Sequence, residues 1–309
     1  MMTEFEKFEY LAEKYQSGFF SKEALMLTVS DISTECLVSI VSNPETKTAN
    51  RELAIEMLFS RTGPEVDQIL INAAKESSLA IRVSAIVALG ARPGRLIDLA
   101  LMQLTVGNPK RLRHEVCVAI FKALADRPGH LVTGFLMDCV WDDELDVLMY
   151  AIDALTNRPG LDVDQVLVDC AYDKRWNRHQ GAFGALRTRP GALIDKTLIA
   201  ASKNEGEFGN NDTKGLSNAD EFLDSIRWAA AKAMAGRPGK NIDQALIRLS
   251  EDEGKYVRLA AIKSMSGRQG KDVKKALAKA AAVKDAYYGD ATNAARRVLA
   301  GHHEDNDVI

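Results

Sequence analysis

The sequence predicts an all-α protein, a right-handed α-solenoid built from about eight helical hairpins. A three-residue punctuation recurs seven times: Arg61-Thr62-Gly63, Arg92-Pro93-Gly94, Arg127-Pro128-Gly129, Arg158-Pro159-Gly160, Arg189-Pro190-Gly191, Arg237-Pro238-Gly239 and Arg268-Gln269-Gly270. Successive arginines stand 31, 35, 31, 31, 48 and 31 positions apart, so the unit is 31 residues long, lengthened before Arg127 and again before Arg237. A fixed period in this range is the mark of a stacked array. Composition agrees: 46% of residues are hydrophobic but only 6% aromatic, a balance weighted toward Ala, Leu, Ile and Val that suits closely packed helices.

One unit shows how the period is built. PEVDQILINAAKES carries Val66, Ile69, Leu70 and Ala73 at helical spacing; a short polar turn follows; LAIRVSAIVALG then places Ile81, Ala85, Ala88 and Leu89 on one stripe. Small residues recur at the second-helix positions of Ala85 and Ala88, as Ala151 and Ala154, Ala182 and Ala185, Ala230 and Ala233, and Ala261 and Ser264, so that neighbouring helices can approach closely. Repeats span residues 34–301, interrupted by a polar insertion at 203–219. Residues 1–33 form an amino-terminal helical cap, helical from Thr3 to about Lys14 with a second stretch from Lys22 to Leu27. Residues 302–309 are expected to be a disordered tail.

The punctuation has a mechanical meaning. Proline lacks an amide proton and ends the second helix, while glycine permits the reversal into the next repeat. Six residues after the corner arginine an aspartate returns at Asp67, Asp98, Asp164, Asp195 and Asp243, with Thr133 and Lys274 as departures. That spacing predicts an Arg–Asp brace across each corner, against the alternative of a free basic row that grips phosphates. A second series lies inside the hairpins. Arg51, Arg82, Arg227 and Arg258 share one position, preceded six residues earlier by Glu45, Glu76, Glu221 and Asp252; Cys117, Leu148 and His179 break the row.

The IRVSAIVALG, IRWAAAKAMAG and VRLAAIKSMSG stretches resemble the second helix of HEAT-like repeats of the short type named after phycobilisome lyases, and the acid-to-arginine spacing is similar to the HEAT polar ladder. The resemblance covers Thr34 to Ala300. It implies the solenoid architecture but no active site, because members of this family include chromophore lyases, scaffolds, partner-binding subunits and, in a related arrangement, alkylpurine DNA glycosylases.

Formal net charge is −3, which gives no general case for a polyanionic partner, yet the charge is uneven. Residues 1–60 carry ten acids against five bases, and residues 222–300 carry sixteen bases against eight acids. The amino terminus has no secretory pattern, and no run approaches the ~18 apolar residues of a membrane span, so a soluble cytoplasmic protein is expected. Cys36, Cys117, Cys139 and Cys170 lack the close pairing of a zinc site and read as buried free thiols. No phosphate loop, dinucleotide fingerprint, GxSxG elbow or HExxH pair occurs, so neither a cofactor nor a metal is expected.

The candidate site comes from counting outward from the buried stripe. Second-helix positions matching Val83, Ser84 and Val87 face the inside of the array, and there stand Tyr150, Asp153, Trp228, Lys232 and Lys263, together with Met149, Gln180, Lys122 and Glu56. Aromatic anchors within a charged rim suit a protein-binding groove. Arg178, His179 and Arg227 are assigned to the same partner-binding surface, with Trp176 beside them. The function expected is a non-catalytic adaptor, assembly factor or specific inhibitor that holds a protein partner on its concave face. The alternative is a nucleic-acid-binding solenoid, extending to base excision with Asp153 as the carboxylate and aromatics stacked on bases.

Overall fold

The structure, a computed structural model, describes residues 2–21, 24–25, 28, 31–105, 113–205, 219–283 and 289–302, all of them helix, turn or irregular segment and none in a strand. Two compact units divide it, Met1–Ala154 and Leu155–Ile309. The first holds α1 (Glu4–Gln16), α2 (Thr34–Ser42), α3 (Thr48–Leu58), α4 (Pro64–Ala73), α5 (Leu79–Gly90), α6 (Arg95–Gln103), α7 (His114–Ala125), α8 (His130–Cys139) and most of α9 (Leu145–Thr156). The second holds α10 (Leu161–Ala171), α11 (Trp176–Thr188), α12 (Ala192–Ala201), α13 (Ala219–Ala233), α14 (Lys240–Leu249), α15 (Lys255–Ser264), α16 (Lys271–Ala281) and α17 (Gly289–Leu299). After α1 these pair into eight hairpins among the described residues. None of the described helices is long and apolar enough to cross a membrane.

Within each unit the helices form two layers. First helices stack on first helices, as α2 on α4 and α4 on α6, or α10 on α12 and α12 on α14; second helices do the same, as α3 on α5 and α5 on α7, or α11 on α13 and α13 on α15. No hairpin covers its own apolar face, so each is stabilised by its neighbours. The small residues read from the sequence lie at these contacts: Ala85, Ala151, Ala182, Ala230 and Ala261 are fully buried, and buried Ser264 donates its hydroxyl to Ala231 O across the layer at 2.8 Å. At the amino-terminal end α1 buries Phe8, Leu11 and Ala12 against α2 and α3. Its start is set by a capping box, in which Thr3 and Glu6 satisfy each other's backbone amides. The second stretch expected from Lys22 to Leu27 lies largely outside the described residues, as do most of the 203–219 insertion and all of the tail beyond His302.

The corners are alike in detail. Each second helix from α3 to α15 closes on a bond from the corner arginine amide to the carbonyl three residues back, for example Arg92 to Leu89 at 3.0 Å. The corner glycine then sits at the N-cap of the next helix, where its carbonyl accepts the first helical bond, as from Asp98 N–H to Gly94 O at 3.1 Å. From Gly63 to Gly239 the corner glycines have φ between 107° and 138°, a region closed to side-chain-bearing residues. Gly270 departs from them, with φ of −58°.

The braces form between repeats rather than within one corner. Five of the seven corner arginines reach back to the aspartate of the preceding repeat: Arg92 to Asp67, Arg127 to Asp98, Arg189 to Asp164 at 2.6 Å, Arg237 to Asp195 at 2.8 Å and Arg268 to Asp243 at 2.5 Å. The same guanidinium donates to the carbonyl of the previous corner arginine: Arg92 to Arg61 at 2.6 Å, and Arg189 to Arg158, Arg237 to Arg189 and Arg268 to Arg237 at 2.7 Å each. These arginines are buried or nearly so, which excludes a free basic row for gripping phosphates. The aspartate also occupies the first turn of its helix, where the macrodipole favours an acid. At the Asp position of one repeat stands Thr133, whose hydroxyl bonds Gly129 O within its own helix at 3.0 Å.

Two arginines of the inner series are displaced by one repeat too, but forward, whereas Arg258 donates within its own repeat to the Asp252 and Glu253 carbonyls at 2.6 and 2.7 Å. Arg51 pairs with Glu76 at 2.5 Å and Arg227 with Asp252 at 2.8 Å, instead of with the acid six residues earlier. Both pairs span 25 residues, the 31-residue period less the six-residue offset.

The corner glycines give a comparative test. Gly191→Ala meets no neighbouring atom but must hold φ of 138°, and should cost about 1–3 kcal/mol in urea unfolding. Gly270→Ala, at φ of −58° with its nearest neighbour in ordinary contact at 3.6 Å, should cost less than ~1 kcal/mol. Equal losses would show that the corner conformation is not what demands glycine.

Candidate partner-binding groove

The second unit carries a groove of about 690 Å³ lined by the opening turns of α11 and α15 and by α13 from Glu221 to Trp228. Trp176 is the first residue of α11; Trp228 lies on α13; Tyr256 is the second residue of α15. Trp176 and Tyr256 are more than half exposed, at 52% and 60%, and Trp228 is half-buried. Ser225 and Val257 line the groove between them, and Glu221, Asp224 and Lys255 supply its charges. Three large aromatics on consecutive hairpins therefore open onto one space. An isolated exposed tryptophan is ordinary, whereas a concentration of this kind marks a contact surface.

Each side chain has a local cause for its position. Four residues along the same helix face from Trp228 stands Lys232, whose Nζ lies 4.6 Å from the indole centroid, a cation–π contact that fixes the ring. The Trp228 Nε1–H is buried and meets no acceptor among the described residues. Beneath Trp176 lies His179, fully buried, with its ring edge-on to Trp176 at 5.4 Å and to Phe222 at 5.2 Å, and its Nε2 3.2 Å from the Ser225 hydroxyl. Behind Trp228, Arg227 holds Asp252 through Nε at 2.8 Å and Asp224 through Nη2. Lys255 is tied to Asp290 at 2.8 Å.

The residues assigned to a partner surface thus separate. Trp228 lines the groove and Lys232 touches it; Arg227 supports its acidic wall. Lys263 is half-buried on α15, away from the groove lining. Arg178 and His179 must be withdrawn from any contact surface. Arg178 is 1% exposed and pairs with Asp173 at 2.7 Å, and His179 has no exposed surface; both are interior supports. Tyr150 and Asp153 belong to the first unit. There the Tyr150 hydroxyl meets His114 Nε2 at 3.2 Å, and His114 Nδ1 meets Asp146 at 3.2 Å. Burial raises the Tyr150 phenol, with the nearby Asp146 carboxylate adding to it, so this chain of contacts does not activate a nucleophile. Asp153 is an exposed carboxyl, raised by desolvation.

Tyr256, Glu221, Asp224 and Lys255 were not in the sequence assignment. Glu221 occupies the first turn of α13 and Lys255 and Tyr256 the first turn of α15, while Asp224 lies one turn further into α13; the outward count followed the middle of each second helix. Their signal was the register shared by Trp176, Asp224 and Lys255, each three residues before the position of His179, Arg227 and Arg258.

Among the described residues, no three His, Cys, Asp or Glu side chains are grouped to hold a metal. All four cysteines are free; Cys117, Cys139 and Cys170 are buried and Cys36 is only partly so. Desolvation pushes Cys117, Cys139 and Cys170 up to about 12, leaving unreactive thiols at neutral pH.

Burial also lowers His179 from 6.5 to about 4. The folded chain then binds this proton more weakly than the unfolded chain, so the stability it contributes is complete above about pH 6.5 and is lost as pH falls toward 4. Between pH 7 and 4.5, wild type should lose about 2–3 kcal/mol more unfolding free energy than His179→Gln. Parallel pH profiles from chemical denaturation would contradict a neutral buried imidazole.

No protein-family model matches the chain, and no curated protein matches it. Solved structures similar to it include human deoxyhypusine hydroxylase in complex with glycerol, 13% identical over 86% of this chain and 96% of that one, with a TM-score of 0.35. An engineered protein is 14% identical over 98% of this chain and 87% of its own, at a TM-score of 0.38. A computationally designed armadillo repeat protein for modular peptide recognition is 16% identical over 86% of this chain and all of its own, at a TM-score of 0.22.

Proposed function

We propose that this chain is a non-catalytic interaction protein of the short HEAT-like repeat type, acting in the cytoplasm as an adaptor, assembly factor or inhibitor, and that its second-unit groove holds a protein partner. The observation that carries this reading is the convergence of Trp176, Trp228 and Tyr256 from three successive hairpins on one groove. Aromatic side chains contribute large apolar area at a small entropic cost, and a few of them supply most of the energy of a protein interface. The ladders behind the groove support the reading as well, since a surface held by buried ion pairs is organised before its partner arrives. Tyr150, Asp153 and Lys263 are proposed as further contacts outside the groove. The Lys203–Ala219 insertion is proposed as a flanking contact.

Affinity purification with wild type and Trp228→Ala as parallel baits tests this. A stoichiometric protein partner retained by wild type should bind Trp228→Ala at least about 2 kcal/mol more weakly, with helical content unchanged by circular dichroism. A partner that binds both baits equally would remove the groove from the interface. Recovery of nucleic acid released by salt would favour the nucleic-acid alternative.

A further inference from the structure

Hairpins inside the stack are covered on both sides, but α1 and the α16–α17 hairpin each leave one face open among the described residues. On α1 the buried stripe is Phe8, Leu11 and Ala12. Glu6, Glu9 and Glu13 line the opposite side at helical spacing, with exposed Met2 and Tyr10 beside them. Glu9 and Glu13 form no ion pair among the described residues, and Glu6 bonds only the Thr3 amide of its own cap. The two lysines of α1 are engaged elsewhere: Lys7 holds Asp31 at 3.0 Å, and Lys14 rests on the Tyr10 and Phe19 rings. The open face of α16–α17 has the reverse charge, and register with the hairpin before it shows which residues stand there. Gly301 matches Gly267, at φ of 85° and 76°, so Arg296 and Leu299 match Ile262 and Met265; one period after Asp243 comes Lys274. Ile262 and Met265 are buried, and Asp243 binds the arginine of the following repeat. At the matching positions Leu299 is 44% exposed, Lys274 is exposed, and so is Arg296, whose Nε bonds only the Ala281 carbonyl at 3.1 Å. Lys271 and Lys275 flank Lys274, and none of these lysines forms an ion pair among the described residues. A groove of about 390 Å³ opens between Lys274, Leu277, Val298 and Leu299.

A cap that only protected the array would need polar side chains of either sign. One sign on each face, with apolar side chains left among the charges, is instead the pattern of two complementary surfaces. We propose that this chain associates head-to-tail with copies of itself, the outward face of α1 on one copy stacking on the open face of α16–α17 on the next, in the place of a further hairpin. Glu6, Glu9 and Glu13 meet Lys271, Lys274 and Arg296, while Met2 and Tyr10 cover Leu299 and its groove. Such a contact is heterologous. Each bound pair keeps one free face of each kind, so association continues past the dimer. It leaves the aromatic groove open and is independent of the partner proposed for it.

Sedimentation velocity of the whole chain from about 10 μM to about 500 μM tests this. In about 0.1 M salt the weight-average sedimentation coefficient should rise with concentration, and the rise should shrink in about 1 M salt, where the Debye length falls from about 10 Å to about 3 Å. Two variants neutralise one face each: Glu6→Gln/Glu9→Gln/Glu13→Gln and Lys271→Gln/Lys274→Gln/Lys275→Gln. All six side chains are exposed, and the far-ultraviolet circular dichroism of both variants should match wild type. Each variant alone should associate about tenfold more weakly or less than that. An equimolar mixture of the two should recover association and stop at pairs, because only one acidic and one basic face remain to meet. A wild type that stays monomeric throughout, a variant that associates as wild type does, or a mixture that forms no pairs would each overturn the proposal.

Discussion

The structure depends on one interaction, repeated: a corner arginine whose guanidinium leaves its own repeat and closes on the one before. It binds an aspartate carboxylate and the carbonyl of the preceding corner arginine together. That carbonyl lies just past a helix end, where no intrahelical amide reaches it. A planar guanidinium with five donors suits the task, because it can serve a carboxylate and backbone carbonyls in a single plane. Burial makes the arrangement demanding. A guanidinium with only 8% of its side chain exposed is unfavourable unless its partners are present, and removing one partner leaves the other charge uncompensated. The ladder thereby specifies register between hairpins, whereas the stripes of Ala, Leu and Ile would tolerate sliding.

The groove follows from the same repetition. Equivalent positions on successive second helices fall side by side, so a residue that departs from the repeat pattern at one position is brought next to departures at neighbouring ones. Trp176, Trp228 and Tyr256 are such departures, and the inner ladder places the acids beside them: Asp252, which the period supplies as a partner for Arg227, also draws Arg227 toward Asp224. The part of the surface proposed to bind is thus built on the part that holds the repeats in register.

Much of this was legible in the sequence. The period, the hairpins, the small residues at buried helix contacts and the identity of the ladder residues were all readable, because each follows from local chemistry recurring at a fixed interval. The pairing was not. Six residues separate Arg237 from Asp243 along the chain, but the bond runs from Arg268 to Asp243 over 25; a linear spacing is equally consistent with a partner one repeat away. Arg178 and His179 misled for a related reason. Both are polar and lie beside an exposed tryptophan, but their burial is set by Asp173, Phe222 and Ser225, two of which come from the next second helix. The aromatic groove was half legible: Trp176 and Trp228 stand out by size, whereas Tyr256 and Glu221 lie on helix-opening turns, and Asp224 three residues before Arg227, at positions that the count along the buried stripe did not reach.

The central claim is that arginine ladders join neighbouring repeats and do not brace single corners. Two double-mutant cycles by equilibrium urea unfolding decide between these, one on Arg268 and Asp243 and the other on Arg237 and Asp243, with alanine at each position. The account predicts a coupling of about 1 kcal/mol or more for Arg268 with Asp243, and a value near zero for Arg237 with Asp243. The reverse pattern, with coupling concentrated in the pair six residues apart, would contradict it.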